Sequence, residues 1–452
     1  TYDSVVIKVA GKHHVRIAHL QVDGNKEHPY GRCAPPWNSR NGILVSPAGT
    51  SWDNATTASE DILIENCISN NCLHHGIGVV SGRRVIIRNC TANDNGSGDS
   101  HPNGIDITSG NISPARGEIG GSEDCVVEGC TAFGNIHAGI EAWGRNTLRT
   151  IIRKCRTDSI LVNTGTTLGN YATARDMQFS LVGTMIVDCY VDHSNRKIND
   201  AAIQLSLASG VLVANCHLIC NQEGITGGSG RPSPPCIPEP GAGDFCMGNV
   251  ITGNTIVYVG PCLPASNGAC PAGTSVFFDG ICGDATKTSP GGQANGILLG
   301  GQADLLITDN TITGFSMGMR LDLCRHTVIS NNTVAHANGH DPPRTGSAGI
   351  FLAYRCSEIT ATGNTVRDAH FGIFEYEESN HNVVISNIVR TTTIGVNTIA
   401  GALTNCATLP YTPPDACTEE QGTKKICEPA FPCCDPPSGG RGGDSIYAHN
   451  IA

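Results

Sequence analysis

Residues 62–67 read Ile-Leu-Ile-Glu-Asn-Cys, and residues 85–90 read Val-Ile-Ile-Arg-Asn-Cys. The same pattern of two alternating apolar residues, a polar pair and a cysteine recurs along the chain. Its later copies end at Cys130, Cys155, Cys189 and Cys216, and then, with threonine in place of cysteine, at Thr255, Thr311, Thr333 and Thr365. The closest copies are 22 to 25 residues apart. A short unit repeated at this period indicates a solenoid.

A second recurring strand lies between these copies and reads small residue, Gly, Ile or Met, any residue, apolar residue. It occurs at 41–45, 75–79, 103–107, 138–142, 202–205, 295–299, 318–321, 349–352 and 372–375. No amphipathic stretch of helical length separates the strands, and the 55 glycines suit tight turns. The chain is therefore expected to be an all-β solenoid of stacked parallel strands.

These two strand patterns resemble the right-handed parallel β-helix family of pectate-lyase-like, polysaccharide-active proteins over about residues 5–400. The resemblance implies a right-handed parallel β-helix of roughly 10–12 coils with Cys/Pro/Gly-rich loop insertions. We expect residues 1–402 to form this solenoid, with one insertion at about 226–294. Residues 403–452 are expected to form a Cys/Pro-rich C-terminal segment that packs on it.

The 22 cysteines favour an oxidising compartment and a secreted, extracellular protein. The cysteines that end the repeats have two interpretations: free thiols that fill the core, or disulfides between coils. Cysteines outside this column are the better disulfide candidates. They are Cys236, Cys246, Cys262, Cys270 and Cys282 in the insertion, and Cys406, Cys417, Cys427, Cys433 and Cys434 in the C-terminal segment.

The formal net charge of −11 argues against a nucleic-acid partner and mildly against a polyanionic substrate. No run of 18 apolar residues is present, so no membrane span is expected. Because the chain opens at Thr1 without Met or a signal peptide, we expect a mature or trimmed product. The oligomeric state stays open.

Residues that follow the isoleucine of the second strand should point outward, since side chains alternate along a strand. Along the coils this column is expected to contain Leu44, Gly78, Asp106, Glu141, Gln204, Leu298, Arg320, Phe351 and Phe374. Asp106 and Glu141 then fall on neighbouring coils, with Cα atoms about 5 Å apart. Two stacked carboxylates repel, so one pKa should rise, which gives the acid and carboxylate that glycosidic hydrolysis requires. The alternative is a solvated acidic ladder without a function.

Histidines accompany these two acids. His75, His101 and His137 each lie near the start of one of three successive strands. An imidazole titrates near neutral pH, so His101 and His137 are candidate catalytic residues beside the acids, and His75 is a candidate substrate-binding residue. Each histidine could equally be an ordinary surface residue.

Four further residues are candidates for substrate binding. Asp99 and Asn103 flank His101 in the sequence, and Trp143 is the next outward position after Glu141. The indole could stack on a sugar or cover a loop, and Arg145 could bind hydroxyls or a uronate carboxylate. No metal ligands are assigned.

The Asp99-Ser100-His101-Pro102 stretch is similar to the Asp-Pro-His-Asp/Glu motif of alginate epimerases, which share the fold. Ser100 stands where that motif has proline, and Asn103 stands where it has an acid. If the similarity extended to activity, it would imply that His101 abstracts the proton.

A second outward cluster is expected further along the solenoid, as either an extended subsite or a charged surface. It contains Arg320, Asp322, Phe351, Arg355, Phe374, Glu375, Tyr376 and Glu377.

Three functions remain open. The first is an extracellular enzyme that hydrolyses a polysaccharide, with Asp106 and Glu141 as the acid/base pair and His101 and His137 orienting them. The second is a polysaccharide lyase or uronan C5-epimerase, in which His101 or His137 is the base, Arg145 neutralises the uronate and the acids are candidate ligands of Ca²⁺. The third is a non-catalytic adhesin.

Overall fold

The computed structural model describes the coils of the chain and the shorter connections between them. The described residues are 5–24, 26, 41–48, 57–97, 101–108, 121–144, 147–163, 182–195, 201–228, 246–259, 274–276, 282–284, 294–315, 317–335, 348–353, 355–375, 379, 381–398, 446–448 and 450.

One face of the molecule is a parallel sheet of thirteen strands, one from each coil, which we call the first face. Its strands are Arg16–Ala18, Leu63–Glu65, Ile86–Arg88, Val126–Glu128, Ile151–Arg153, Met185–Val187, Leu212–Ala214, Val250–Thr252, Leu306–Thr308, Val328–Ser330, Thr360–Thr362, Val383–Ile385 and Ile446–Ala448. Thirteen coils are one more than the upper end of the expected range.

In nine of the coils a separate strand of the second face follows. These strands are Gln21–Asp23, Ile68–Asn70, Thr131–Ala132, Arg156–Thr157, Tyr190–Asp192, His217–Cys220, Thr255–Tyr258, Thr311–Thr313 and Thr333–Ala335.

The Gly-Ile strands form a third stack, the site face. These strands are Ile7–Ala10, Ile43–Ser46, Ile77–Val80, Ile105–Thr108, Ile140–Trp143, Ile160–Asn163, Ala201–Ser206, Glu223–Gly228, Asn295–Gly300, Met317–Asp322 and Ala348–Ala353. Two long strands, Thr365–Glu375 and Ile388–Thr398, pass through the corner and join the two faces into one twenty-stranded sheet. Gln21–Asp23 and Ile68–Asn70 of the second face form a separate two-stranded pair.

Four short strands form two further parallel pairs, and two more form an antiparallel pair. The parallel pairs are Ser59–Glu60 with Gly82–Arg83 and Cys246–Met247 with Gln302–Ala303, and the antiparallel pair is Thr274–Val276 with Cys282–Asp284. The described residues contain no helix, and none of them could form a membrane-spanning one. The expected all-β parallel solenoid is confirmed.

Inward side chains form continuous apolar columns. On the first face Ile64, Ile87, Val127 and Ile152 lie in register on successive strands, and each has 0% of its surface exposed. Their neighbours along each strand point outward, which is the alternation that a strand imposes. Each inward position of the strands thus contributes one column of branched side chains to the core. A shift of the strand register by one residue would turn these side chains out to solvent.

The cysteine column is a stack of free, buried thiols. The Cys90 thiol donates to the Ile64 carbonyl at 3.7 Å, and the Cys130 thiol donates to the Ile87 carbonyl at 3.6 Å. Each of these thiols therefore bonds the backbone of the preceding coil. The core-filling interpretation holds for the described column, and the alternative of disulfides between its coils is wrong.

Cys246 lies outside this column and was expected to form a disulfide, which is wrong, since it is buried and free. Residues 246–258, inside the expected insertion, carry three strands that pair with the coils on either side, and they bury Ile251 and Ile256 in the core. This segment needs no cross-link because it is a coil itself. The remaining disulfide candidates carry no described side chain, and the division at residue 402 stays a prediction.

In the second half of the solenoid the thiol column continues as an asparagine ladder. Cys216 aligns with Asn254, whose side-chain oxygen accepts the Cys216 backbone N–H at 2.9 Å. The amide of Asn254 donates to Asn310 at 2.9 Å, and that of Asn310 donates to Asn332 at 2.9 Å. The ladder continues through Asn364, Asn387 and Asn450. The expected replacement of cysteine by threonine was therefore out by one residue, because His217 pairs with Thr255.

The turn before this column uses a different residue for left-handed geometry. Asn66, Asn89 and Asn331 have φ values of 52°, 52° and 56°. Asparagine tolerates this conformation better than most residues. Asparagine thus supplies the left-handed turn at one position and the ladder between coils at the next position.

Adjacent asparagines allow a matched test of the ladder. Asn332→Ala would leave the buried Asn310 backbone N–H without its acceptor and remove the side-chain bonds of Asn332 to Asn310 and Asn364, so we expect a loss of about 2–3 kcal/mol in unfolding free energy. Asn331→Gly, at the exposed left-handed position, should change the unfolding free energy by only a few tenths of the loss expected for Asn332→Ala. Thermal and denaturant unfolding would measure both. Equal effects of the two variants would contradict the ladder's role.

Candidate functional site

The two candidate acids lie on neighbouring strands of the site face. Ile105–Thr108 pairs in parallel with Ile140–Trp143, and Asp106 is directly opposite Glu141. The residues on either side of each acid, such as Ile105 and Ile107, belong to the core. Both acids therefore occupy the outward column on adjacent coils, where the sequence pattern predicted them.

The predicted solvent exposure of this column is wrong for the first coils. Asp106 and Glu141 are each only 4% exposed. The physical reason is that side chains from the preceding corner, those of His75, Asn103 and His137, contact the carboxyl groups and shield them from water.

The predicted column also omitted two coils. Leu161 pairs with both Glu141 and Gln204, and Thr226 lies between Gln204 and Leu298. The Leu161 strand lacks the Gly-Ile pair, which explains why the pattern missed it.

Asn103 connects the two carboxyl groups. Its Nδ2 donates to Asp106 Oδ1 at 3.0 Å and to Glu141 Oε2 at 2.5 Å. Its Oδ1 accepts the backbone N–H of Ala138 at 3.1 Å and lies 3.1 Å from His137 Nδ1. The amide orientation is fixed by the Ala138 bond. Asn103, predicted to bind substrate, therefore positions the acids.

His75 contacts Asp106 from the preceding coil. The backbone N–H of Asn103 donates to His75 Nδ1 at 3.1 Å, so Nδ1 is an acceptor and the proton of the neutral ring is on Nε2. This Nε2 lies 3.7 Å from Asp106 Oδ2. His75 thus presents an N–H towards the carboxyl group.

His137 adjoins Glu141, with Nδ1 lying 3.6 Å from Oε2. Its side chain is 26% exposed, compared with 5% for the side chain of Glu141. Of the two groups, His137 is the more accessible to a ligand.

His101 is exposed and meets His137 edge to face, with ring centroids 4.7 Å apart. The described ring contact of His101 is with His137, and His137 in turn lies next to Glu141. Trp143 is partly exposed at the outward position after Glu141, between Thr108 and Asn163 on the flanking strands. Asp99 and Arg145 lie outside the described residues.

Asn41 and His74 repeat the Asn103–His137 arrangement earlier in the solenoid. Asn41 Oδ1 lies 3.1 Å from His74 Nδ1 and accepts the His75 backbone N–H at 3.1 Å. The sequence analysis did not single out Asn41. Its signal was the shared Asn-Gly-Ile at 41–43 and 103–105.

Burial and charge separate the proton affinities of these groups. Burial, and next the charge of Glu141, raise the pKa of Asp106 well above its usual range. Burial, and next the charge of His101, lower the pKa of His74 to about 4. Burial also holds the pKa of His75 well below its ordinary value. The raised pKa favours the acid form of Asp106, and the lowered pKa favours the neutral imidazole of His75.

The calcium hypothesis stays a prediction. Within the described ranges, no three His, Cys, Asp or Glu side chains are arranged to hold a metal ion.

Comparison with known proteins supports the fold assignment. A family model described as a right handed beta helix region matches residues 285–403. This match agrees with the stacked parallel faces, which define a right-handed parallel β-helix fold. No curated protein matches the chain in sequence.

Several solved structures are similar to parts of this chain at low sequence identity. The mannuronan C-5 epimerase AlgE6 A-module of Azotobacter vinelandii is 10% identical, with a TM-score of 0.46 over 79% of this chain and 86% of that one. A tailspike protein double mutant of E. coli bacteriophage HK620, in complex with a pentasaccharide, is 10% identical, with a TM-score of 0.48 over 86% of this chain. The Dettilon tailspike protein is 14% identical, with a TM-score of 0.41 over 79% of this chain. The match covers 61% of each tailspike chain.

The raised pKa of Asp106 predicts a pH-dependent stability difference. A carboxyl group whose pKa is higher in the folded state than in the unfolded state stabilises the fold at low pH. This stabilisation is complete below the pKa of the unfolded state, about 4, and is lost as the pH rises through the pKa of the folded state. We therefore expect Asp106→Asn to melt above the wild type at pH 7, with a smaller difference near pH 4.

Thermal melts across this pH range would measure the effect, with Asp188→Asn, at an exposed turn, as the matched control. A difference that is independent of pH, or equal to that of the control, would contradict the protonated Asp106.

Proposed function

We propose that the chain is an extracellular enzyme that hydrolyses glycosidic bonds of a polysaccharide, with Asp106 and Glu141 as its acid/base pair. The observation that supports this most directly is the Asn103 amide, whose single nitrogen donates to both carboxyl groups. The two bonded oxygens cannot be farther apart than those two bonds together. Such a pair keeps one proton and one negative charge side by side.

This arrangement supplies the two groups that hydrolysis requires. Asp106 in its acid form would protonate the glycosidic oxygen as the bond to the anomeric carbon breaks. The Glu141 carboxylate would then either deprotonate an attacking water or form a covalent ester that water hydrolyses. In the covalent route Asp106 takes a proton from the water that hydrolyses the ester and so regains its acid form. In the direct route Glu141 takes the proton of the attacking water, and proton exchange with solvent then restores the acid form of Asp106 and the carboxylate of Glu141.

Asn103 and His75 have positioning roles in this proposal. The Asn103 amide holds the two carboxyl groups together, and the His75 N–H faces Asp106. The described ring contact of His101 is with His137, so we assign His101 no direct step.

An extracellular location belongs to the proposal because a polysaccharide too large to cross a membrane must be cleaved outside the cell. The described cysteines give it no support, since all twelve are free and buried.

A second candidate rests on the exposure of His137. Its side chain is the most accessible of the groups that touch the carboxyl pair, so it could abstract the C5 proton of a uronate in a lyase or epimerase reaction. This reaction needs a cation at the uronate carboxylate, and the expected one, Arg145, lies outside the described residues.

A screen of polysaccharides separates these functions. We expect neutral polymers such as galactan, mannan or xylan to yield new reducing ends without near-ultraviolet absorbance. Absorbance from unsaturated ends on alginate or polygalacturonate would support the lyase instead. Altered uronate composition without cleavage would support the epimerase, and binding without any product would support the adhesin.

The acid pair should be essential for cleavage. Removal of a positioned acid or base usually costs about 10²–10⁴-fold in rate, so Asp106→Asn and Glu141→Gln should each lower kcat within this range. Glu128→Gln, on the first face, is the control and should keep wild-type kcat. The folded state of each variant can be checked by its melting temperature. Retention of more than a third of the activity in either acid variant would contradict the proposal.

A further inference from the structure

The outward column that holds the acid pair continues across the rest of the site face. From Glu141 its register partners are Leu161, Gln204, Thr226, Leu298, Arg320, Phe351 and Phe374. Leu161 is buried, and Gln204 and every position after it in this series is partly exposed. The column therefore emerges at the surface two coils beyond the acids.

The surface between Glu141 and Arg320 carries no charge in its two outward columns. The second column runs through Trp143, Asn163, Ser206, Gly228 and Gly300 before it reaches Asp322. The amide of Gln204 donates to the Ser206 hydroxyl at 2.7 Å, and Gly228 and Gly300 add no side chain. This strip suits a chain of hydroxyl groups better than a polyanion.

An aromatic cluster, formed by Phe351, Phe371 and Phe374, lies at the far end of this strip. The rings of Phe351 and Phe374 stack at 5.5 Å and 22°, and those of Phe371 and Phe374 stack at 4.9 Å and 25°. Arg320 places its guanidinium carbon 5.8 Å from the centre of the Phe351 ring and bonds Asp322 at 3.0 Å. All three rings are partly exposed.

Six strand spacings separate Glu141 from Phe351, which is about 29 Å at ~4.8 Å per strand. We propose that the aromatic cluster is a remote subsite for the same neutral glycan chain whose bond is cleaved at Asp106 and Glu141. The proposal rests on the function proposed above, and it adds that the substrate is a long neutral polymer.

The chemistry of the cluster fits a neutral sugar. Ring faces and apolar edges pack against the C–H groups of a sugar, and the positive edge of each ring attracts hydroxyl oxygens. The Arg320 guanidinium is paired with the Asp322 carboxylate at 3.0 Å, which offsets its charge beside the rings. The same outward column connects the acid pair with the aromatic cluster, so one glycan chain can lie along it from one to the other.

Kinetics on substrates of different length test this inference. The probe is the neutral polymer that the wild type cleaves in the screen, with size-fractionated oligomers shorter than the 29 Å span of about six strand spacings. Removing two rings with Phe351→Ala/Phe374→Ala should raise KM about tenfold on the polymer, with kcat nearly unchanged. The same variant should cleave the short oligomers like the wild type.

Tyr190→Ala is the matched control, because Tyr190 is a partly exposed ring stacked on His217 at 5.6 Å, but on the second face. Phe351→Leu/Phe374→Leu, which keeps apolar volume, separates loss of the rings from loss of packing, and melting temperatures identify variants that fail to fold. The leucine variant should show a large part of the KM increase on the polymer.

An equal KM increase on short oligomers, or none on the polymer, would overturn the remote subsite while the proposed hydrolysis stands. If the wild type binds one of these polymers without cleaving it and the alanine variant weakens binding, the subsite stands and the hydrolysis fails. Absence of both binding and cleavage would overturn the two together.

Discussion

Parallel register between successive coils is the constraint on which the rest of the structure depends. Each strand repeats the position of its neighbour, so a residue's place within its coil fixes both its direction and its contacts. Asp106 meets Glu141 only because Ile105 and Ile107 are inserted in the core in step with Ile140 and Ala142. Buried thiols in the first half and asparagine amides in the second add hydrogen bonds that fix this register.

The site consists of two acids and an asparagine whose contacts with the neighbouring corner also occur elsewhere in the solenoid. Asn41 organises His74 and His75 by the same contacts through which Asn103 organises His137 and Ala138. The outward residues near Asn41 are Leu44 and Gly78, which cannot exchange protons. The arrangement around Asn103 differs because Asp106 and Glu141 lie beside it, and the pKa of Asp106 is raised there.

The fold was largely predictable from the sequence because the apolar columns repeat in it directly. The Gly-Ile strands also placed Asp106 opposite Glu141, since their common motif defines the register. The pattern missed Leu161, whose coil lacks the Gly-Ile motif. It also did not separate the turn asparagines from the ladder asparagines, because the same residue type occupies neighbouring positions. Those distinctions depend on hydrogen bonds between coils, and a single strand pattern does not contain them.

Shielding of the acids could not be predicted in the same way. Alternation correctly directs Asp106 out of the core, but its exposure depends on the corner that precedes the strand. There the orientation of one amide, Asn103, and of two imidazoles covers the carboxyl groups. Local sequence shows that these residues are nearby, and the three-dimensional arrangement shows that they converge.

The protonation state of the carboxyl pair is the property that tests this account most directly. Infrared difference spectroscopy of the wild type against Asp106→Asn at neutral pH reports the carbonyl stretch of a protonated carboxylic acid. The account predicts a band in the wild type that Asp106→Asn removes. Absence of the band from the wild type, or its persistence in the variant, would contradict the shared proton at Asp106 and Glu141.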